Sequence, residues 1–172
     1  MGLHVVLYQP EIPQNTGNIM RTCAGTNTTL HLIEPLGFKV DEKSLKRSGV
    51  NYLEHAKFFV YPDFETFLSK NHGEFLFFTR YGKKTPDQFD LSDLDKNYYL
   101  VFGRESTGIP KSILREHLDR CTRYPMNENI RSLNLSNTVC LGIYEALRQQ
   151  NYQGLSKTEP ESMKGEDWLI ED

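Results

Sequence analysis

The chain has 172 residues, of which 38% are hydrophobic and 25% charged, a length and balance that suit one globular domain with a proper core. No apolar run approaches membrane-spanning length, and Met1–Leu7 reads as an opening strand rather than a signal peptide, so the sequence predicts a cytoplasmic protein with no membrane partner. The net charge of −3 hides an acidic end: Glu159–Asp172 holds six acids and one Lys, which leaves 19 basic and 17 acidic groups in residues 1–158 and permits an RNA-binding surface without demanding one.

Leu3–Tyr8 is apolar almost throughout, as in a central strand of a sheet covered on both faces. Two prolines stiffen the loop that follows, and Asn15-Thr16-Gly17 reads as the start of a helix over Asn18–Gly25, with Ile19 and Cys23 inward. Arg21 falls three residues after Asn18, so the two share a face at the expected helix start, which suits a phosphate or a ribose. Strands are expected at Leu30–Glu34, Phe58–Tyr61, Phe75–Thr79, Tyr98–Gly103 and Thr122–Tyr124. Helices are expected at Asp41–Arg47, Asp63–Lys70 and Ile113–Leu118. Ser132-Leu133-Asn134-Leu135-Ser136-Asn137 supplies the small polar residues that a helix N-terminus needs. Leu135, Val139, Gly142, Ile143 and Ala146 then recur on one helical face. A capped core helix explains this segment sufficiently; a ligand cradle between strand and helix is the second reading. The alternation of strands and helices predicts an α/β fold with a mainly parallel sheet flanked by helices. Residues 1–154 form the single expected domain, and 155–172 an acidic C-terminal tail.

Three loops fall at the expected C-terminal edge of that sheet: Gln14–Arg21, Gly103–Gly108 and Pro125–Asn137. They are rich in Gly, Asn and Ser. None holds a Ser/His/Asp set, the five histidines are scattered, and Cys23, Cys121 and Cys140 lack metal-ligand spacing, so no metal is expected. A dinucleotide fingerprint and a P-loop are both missing. A neutral adenosine-type cofactor held mainly by backbone groups remains compatible.

The three loops resemble the motifs of the SPOUT superfamily of RNA methyltransferases, in particular the SpoU-type 2′-O-methyltransferases. Asn15–Arg21 is similar to the first motif, Leu100–Pro110 to the second, and Pro125-Met126 with Arg131–Asn137 to the third. With Tyr8–Pro13 and Ile33–Phe38, the likeness runs from Leu3 to about Gly154 and is greatest to the small bacterial enzymes that methylate the wobble-nucleotide ribose of certain leucine tRNAs. The wobble enzymes usually have Pro after the second-motif Phe-Gly and a basic residue before the next Gly; this chain has Arg104 and Thr107.

The resemblance implies a C-terminal trefoil knot, a homodimer with the site near its interface, tRNA as partner and S-adenosylmethionine as cofactor. By position, Phe78, Thr79, Gly103, Tyr124, Ser132 and Leu133 would hold the cofactor, while Asn15, Arg21, Glu105, Ser132 and Asn134 would face the substrate. A guanidinium rarely loses its proton, so Arg21 is expected to stabilise developing negative charge and grip a phosphate rather than act as the base. Glu105 is expected either to accept the proton or, slightly preferred, to hold Asn15 in place. Asn134 would orient the hydroxyl or cap the last helix. Lys46, Arg47, Lys83 and Lys84 are the expected phosphate contacts. Two alternatives stand beside wobble methylation: another tRNA or rRNA nucleotide as target, or a catalytically silent RNA-binding protein of the same fold.

Overall fold

The computed structural model describes residues 2–39 and 56–170. Six strands form one sheet: β1 (Gly2–Tyr8), β2 (Thr29–Ile33), β3 (Phe58–Tyr61), β4 (Glu74–Phe78), β5 (Asn97–Phe102) and β6 (Cys121–Thr122). Their order is β3-β2-β1-β5-β4-β6, and every pairing is parallel. Among the described residues the helices are α1 (Pro13–Gly25), α2 (Phe64–Lys70), α3 (Lys111–Glu116) and α4 (Leu135–Gln149). β1 is a central strand, as its apolar run predicts, and the sheet carries a buried cluster on each face, with only the edge strand β3 exposing Phe59 and Val60 among its large apolar side chains.

Alternation along each strand divides the core. Leu3, Val5, Leu7, Leu100 and Phe102 pack with Ile19, Met20 and Cys23 of α1 and with Val139, Ile143 and Ala146 of α4. Val6, Tyr99 and Val101 face the other way, onto Phe67 of α2 and Leu114 of α3. That second layer contains a polar chain: His4 Nδ1 and His31 Nε2 are 3.0 Å apart, and His31 Nδ1 is 3.1 Å from the Tyr61 hydroxyl. Burial pushes the His31 imidazole down to about 3, with smaller contributions from His4 and Lys57.

Most expected elements hold within one or two residues. The instructive exception is α1, which begins at Pro13, five residues before the expected Asn18. Pro is tolerated at the first helical position, where its missing N–H costs nothing, so Pro13 opens the helix instead of stiffening the loop. Asn18 and Arg21 therefore lie in the body of α1, not at its N-terminus. β6 is shorter than expected and ends at Thr122. The expected helix Asp41–Arg47 lies outside the described residues, together with Lys46 and Arg47. Asp63 caps α2, its carboxylate accepting from the Thr66 amide at 2.7 Å. A parallel sheet directs all its strand ends one way, so the turns after β1, β4, β5 and β6 emerge at a single edge.

Candidate active site

The turn after β5 closes on itself. Arg104 and Gly108 exchange two backbone hydrogen bonds, of 3.2 and 2.9 Å, and Gly108 has a φ of +73°. Gly103 lies flat against the returning strand, where an added Cβ would overlap the Gly108 carbonyl carbon and the Ile109 nitrogen. The closed turn projects Glu105 toward α1. Its carboxylate accepts from the Glu11 amide (2.8 Å), the Ile12 amide (3.1 Å) and Asn15 Nδ2 (3.2 Å). The helix has no side-chain cap of its own, so a carboxylate from a distant turn stands at its positive end. Glu11 answers in the opposite direction: its carboxylate accepts from the Ser106 amide and hydroxyl, which hold its carboxyl below the usual range.

Asn15 carries the connection onward. Its Oδ1 accepts from Asn134 Nδ2 at 3.1 Å, while Asn134 Oδ1 caps α4 by accepting from the amides of Ser136 (2.9 Å) and Asn137 (3.3 Å). One hydrogen-bonded line, Glu105–Asn15–Asn134, thus joins all three loops. Arg131 strengthens the link by donating to the Ser106 carbonyl at 3.2 Å. The guanidinium of Arg104 donates to Gln9 Oε1 and stands 5.5 Å from the Tyr8 ring centroid.

Above this line opens a cavity of about 390 Å³. Phe78 and Phe102, stacked with centroids 4.4 Å apart, form an apolar wall with Leu133 and Leu135. Thr79, Gly103, Tyr124 and Ser132 add polar groups and backbone. The Tyr124 hydroxyl is buried with no partner among the described residues, and burial pushes its phenol far above the ordinary range. Arg80, Arg104, Arg123 and Arg131 line the cavity with Glu105 as its one carboxylate, so the site is electropositive.

Asn15, Glu105 and Asn134 therefore meet, and Phe78, Thr79, Gly103, Tyr124, Ser132 and Leu133 all line the cavity. Arg21 does not join them. It is exposed on α1, six residues beyond buried Asn15 and on a different side of the helix. Lys83 and Lys84 are exposed on the turn after β4 but outside the cavity lining, with the Lys84 ammonium over the Phe89 ring. Of the arginines near residue 120, Arg123 reaches the cavity, whereas Arg120 donates to the Phe75 carbonyl and pairs with Glu74 at 3.1 Å. Sequence reasoning passed over Arg80 and Tyr81, and gave Arg131 and Glu11 no role of their own within the motif stretches that contain them. The only local signal for the first two is their place directly after Thr79.

Among the described residues no helix is long and apolar enough to cross a membrane, and no group of three His, Cys, Asp or Glu is placed to hold a metal.

A family model described as the SpoU rRNA Methylase family matches residues 2–144. A Bacillus subtilis (strain 168) protein, provisionally named tRNA (cytidine(34)-2′-O)-methyltransferase, is 57% identical over 157 residues, which cover 90% of this chain and 98% of that one. The tRNA (cytidine(34)-2′-O)-methyltransferase of Escherichia coli (strain K12) is 44% identical over 153 residues, covering 88% and 96%. A solved structure described as giving insight into the 2-OH methylation of C/U34 on tRNA superposes with a TM-score of 0.79 at 38% identity, covering 87% of this chain and 96% of that one.

Proposed function

Because the chain belongs to the SpoU rRNA methylase family, we propose that it transfers a methyl group from S-adenosylmethionine to the ribose 2′-hydroxyl of a tRNA wobble nucleotide, cytidine or uridine, in leucine tRNAs. The observation that carries this reading is the meeting of three polar turns around one cavity. The residues present fit the cofactor. Phe78, Phe102 and Leu133 offer an apolar wall to a flat ring, Gly103 lets the backbone come close, and the partnerless Tyr124 hydroxyl would gain a bond. Bound there, S-adenosylmethionine supplies a reactive methyl group, so the protein has only to align the ribose oxygen and manage its proton. Ser132 and Asn134 orient that oxygen. Glu105 acts by fixing Asn15, the role favoured by its three hydrogen bonds.

Arg21 belongs to this reading as the group that stabilises developing negative charge and grips the adjacent phosphate. Its exposure, off the cavity of its own chain, supports a homodimer in which α1 of the second subunit brings Arg21 to the site. A single domain over residues 1–154, a cytoplasmic location and the C-terminal trefoil knot complete the reading. The knot is supported by family membership and by the close packing of the turn after β4 on β6, where the Thr79 amide donates to the Thr122 carbonyl at 3.0 Å.

Incubation with labelled S-adenosylmethionine and total tRNA, followed by mapping of the modified nucleotide, tests the proposal. Label in the wobble ribose of leucine tRNA is expected. Label elsewhere would change the target and keep the reaction; no transfer to any RNA would leave a silent RNA-binding protein and overturn the reading. Arg21→Ala should abolish transfer with little change in donor affinity. Mixed with an Asn134→Ala chain it should recover activity, since a mixed dimer holds one complete composite site; failure to recover would remove the shared site.

A further inference from the structure

The turn after β4 carries an aromatic ring that the fold does not use. Tyr81 is 72% exposed, yet it lines the mouth of the cavity. The turn beneath it is firmly held. Gly82 donates to the Thr79 carbonyl at 3.1 Å and lies so close to Thr122 that an added Cβ would overlap its carbonyl carbon. The Lys84 carbonyl accepts from both the Arg123 amide (3.0 Å) and the Thr122 hydroxyl (3.1 Å), and Arg123 Nη1 reaches the Arg80 carbonyl. A rigid turn therefore presents a large flat ring to solvent. Exposing such a ring wastes apolar area that folding would otherwise bury.

The surroundings name the occupant. The Arg80 guanidinium stands over the Tyr81 ring, 5.3 Å from its centroid, and the ring's high exposure leaves the opposite face open. Arg123 and Arg131 line the same mouth, and Lys83 is exposed beside it. A flat open ring ringed by cations matches one chemistry: an unpaired base whose flanking phosphates meet the guanidinium groups. A base held in a duplex is stacked on both sides and cannot reach the ring.

We propose that Tyr81 is the stacking platform for an unpaired base of the RNA substrate, adjacent to the ribose that enters the cavity. The site selects single-stranded loop RNA over duplex. Arg80 supports the ring from behind, and Arg123 and Arg131 hold the phosphates. This inference rests on the methyltransferase reading for its substrate, but binding alone can test it.

The test compares wild type, Tyr81→Ala and Tyr81→Phe in equilibrium binding of a synthetic anticodon stem–loop RNA, without methyl donor. A ring so exposed is dispensable for folding, so equal melting temperatures are expected and serve as the control. Tyr81→Ala should weaken loop binding by roughly tenfold or more, a typical cost of losing one stacked base, whereas Tyr81→Phe should bind like wild type. A loop carrying 2-aminopurine at the stacked position should be quenched by wild type and by Tyr81→Phe but not by Tyr81→Ala. Loop binding within twofold of wild type by Tyr81→Ala, or equal losses for loop and duplex RNA, would overturn the inference. If wild type binds the loop through Tyr81 but transfers no methyl group, the proposed reaction fails and the platform stands. If wild type transfers methyl and Tyr81→Ala binds the loop as well as it does, the reverse holds.

Discussion

Glu105 separates two accounts of the chemistry. As a proton acceptor it would matter through its charge; as a positioning residue it matters through the three donors it receives. Oε2 accepts from Glu11, and Oε1 accepts from both Ile12 and Asn15. Glu105→Gln keeps the shape and one oxygen. Turned to keep Ile12 and Asn15, the amide sets an N–H against the Glu11 N–H, and the loss of that one charge-assisted bond costs about 1–2 kcal/mol. Glu105→Ala removes all three bonds and the cap of α1, for a loss of about 2–3 kcal/mol once water solvates the half-buried amides. Urea unfolding gives the stabilities, and single-turnover methyl transfer with saturating donor and tRNA gives the chemical step. The positioning account expects Gln to retain transfer within about tenfold, Ala to lose much more, and the pH profile to keep its shape. A double-mutant cycle with Asn15→Ala should show coupling of about 1 kcal/mol. A Glu105→Gln chain of wild-type stability whose transfer rate falls by the roughly 10²–10⁴ characteristic of a missing general base would refute this reasoning.

Gly103→Ala forces a Cβ into the Gly108 backbone and should destabilise by about 3 kcal/mol or open the turn; donor titration by calorimetry would then show lost binding, and wild-type affinity would contradict the close approach. The His31 imidazole, 2% exposed, has a folded pKa of about 3 against about 6.5 unfolded, so the unfolded chain takes up the proton first. Its contribution to stability is complete above pH 6.5 and is lost as pH falls toward 3, amounting to about 2 kcal/mol by pH 5. Urea midpoints measured from pH 7 to 5 should fall accordingly, and a flat profile would show that His31 is hydrated. Transfer of RNA to higher salt should weaken binding steeply, and Arg123→Ala should lower the slope of log K against log salt by about one; an unchanged slope would place Arg123 away from phosphate.

The strands and the α4 face were legible because alternation and the 3.6-residue period are local properties, and Leu100, Phe102, Val139 and Ile143 obey them. The start of α1 was not. Its cap is a carboxylate some ninety residues away, so the local reading took Asn15-Thr16-Gly17 for the N-terminus and gave Arg21 a place near a helix end that it does not occupy. The cavity residues of the three motif loops were found because each loop is polar where a strand should hand over to a helix. Arg80 and Tyr81 escaped for the opposite reason: an exposed Arg or Tyr in a turn resembles ordinary surface until the fold gathers four separate turns at one edge. Arg120 and Arg123 show the same effect of the fold: they are near neighbours in sequence, yet the sheet sends one to Glu74 and the other to the cavity.

The hydrogen-bond ledger of the three joined turns bears on where a proton can go. Asn134 Oδ1 already accepts from the Ser136 amide, the Ser136 hydroxyl and the Asn137 amide, so it has no capacity for a further donor. The Glu105 carboxylate is committed to three donors at the entry to α1. Each Asn amide, by contrast, has two N–H groups and the line uses one of each. What the network still offers is chiefly donors, one N–H on each Asn amide, beside one remaining lone pair on Asn15 Oδ1 and one remaining acceptor site on Glu105. Such a constellation can hold a ribose oxygen and stabilise charge building on it, while its one carboxylate is placed at the entry to α1. In the proposed reaction this assigns catalysis to alignment and electrostatic support, with the proton leaving to solvent. It also explains why a cavity with four guanidinium groups and one committed carboxylate suits this chemistry: the anion being held is the nucleic acid and its reacting oxygen, and the protein spends its own negative charge on keeping α1 in place.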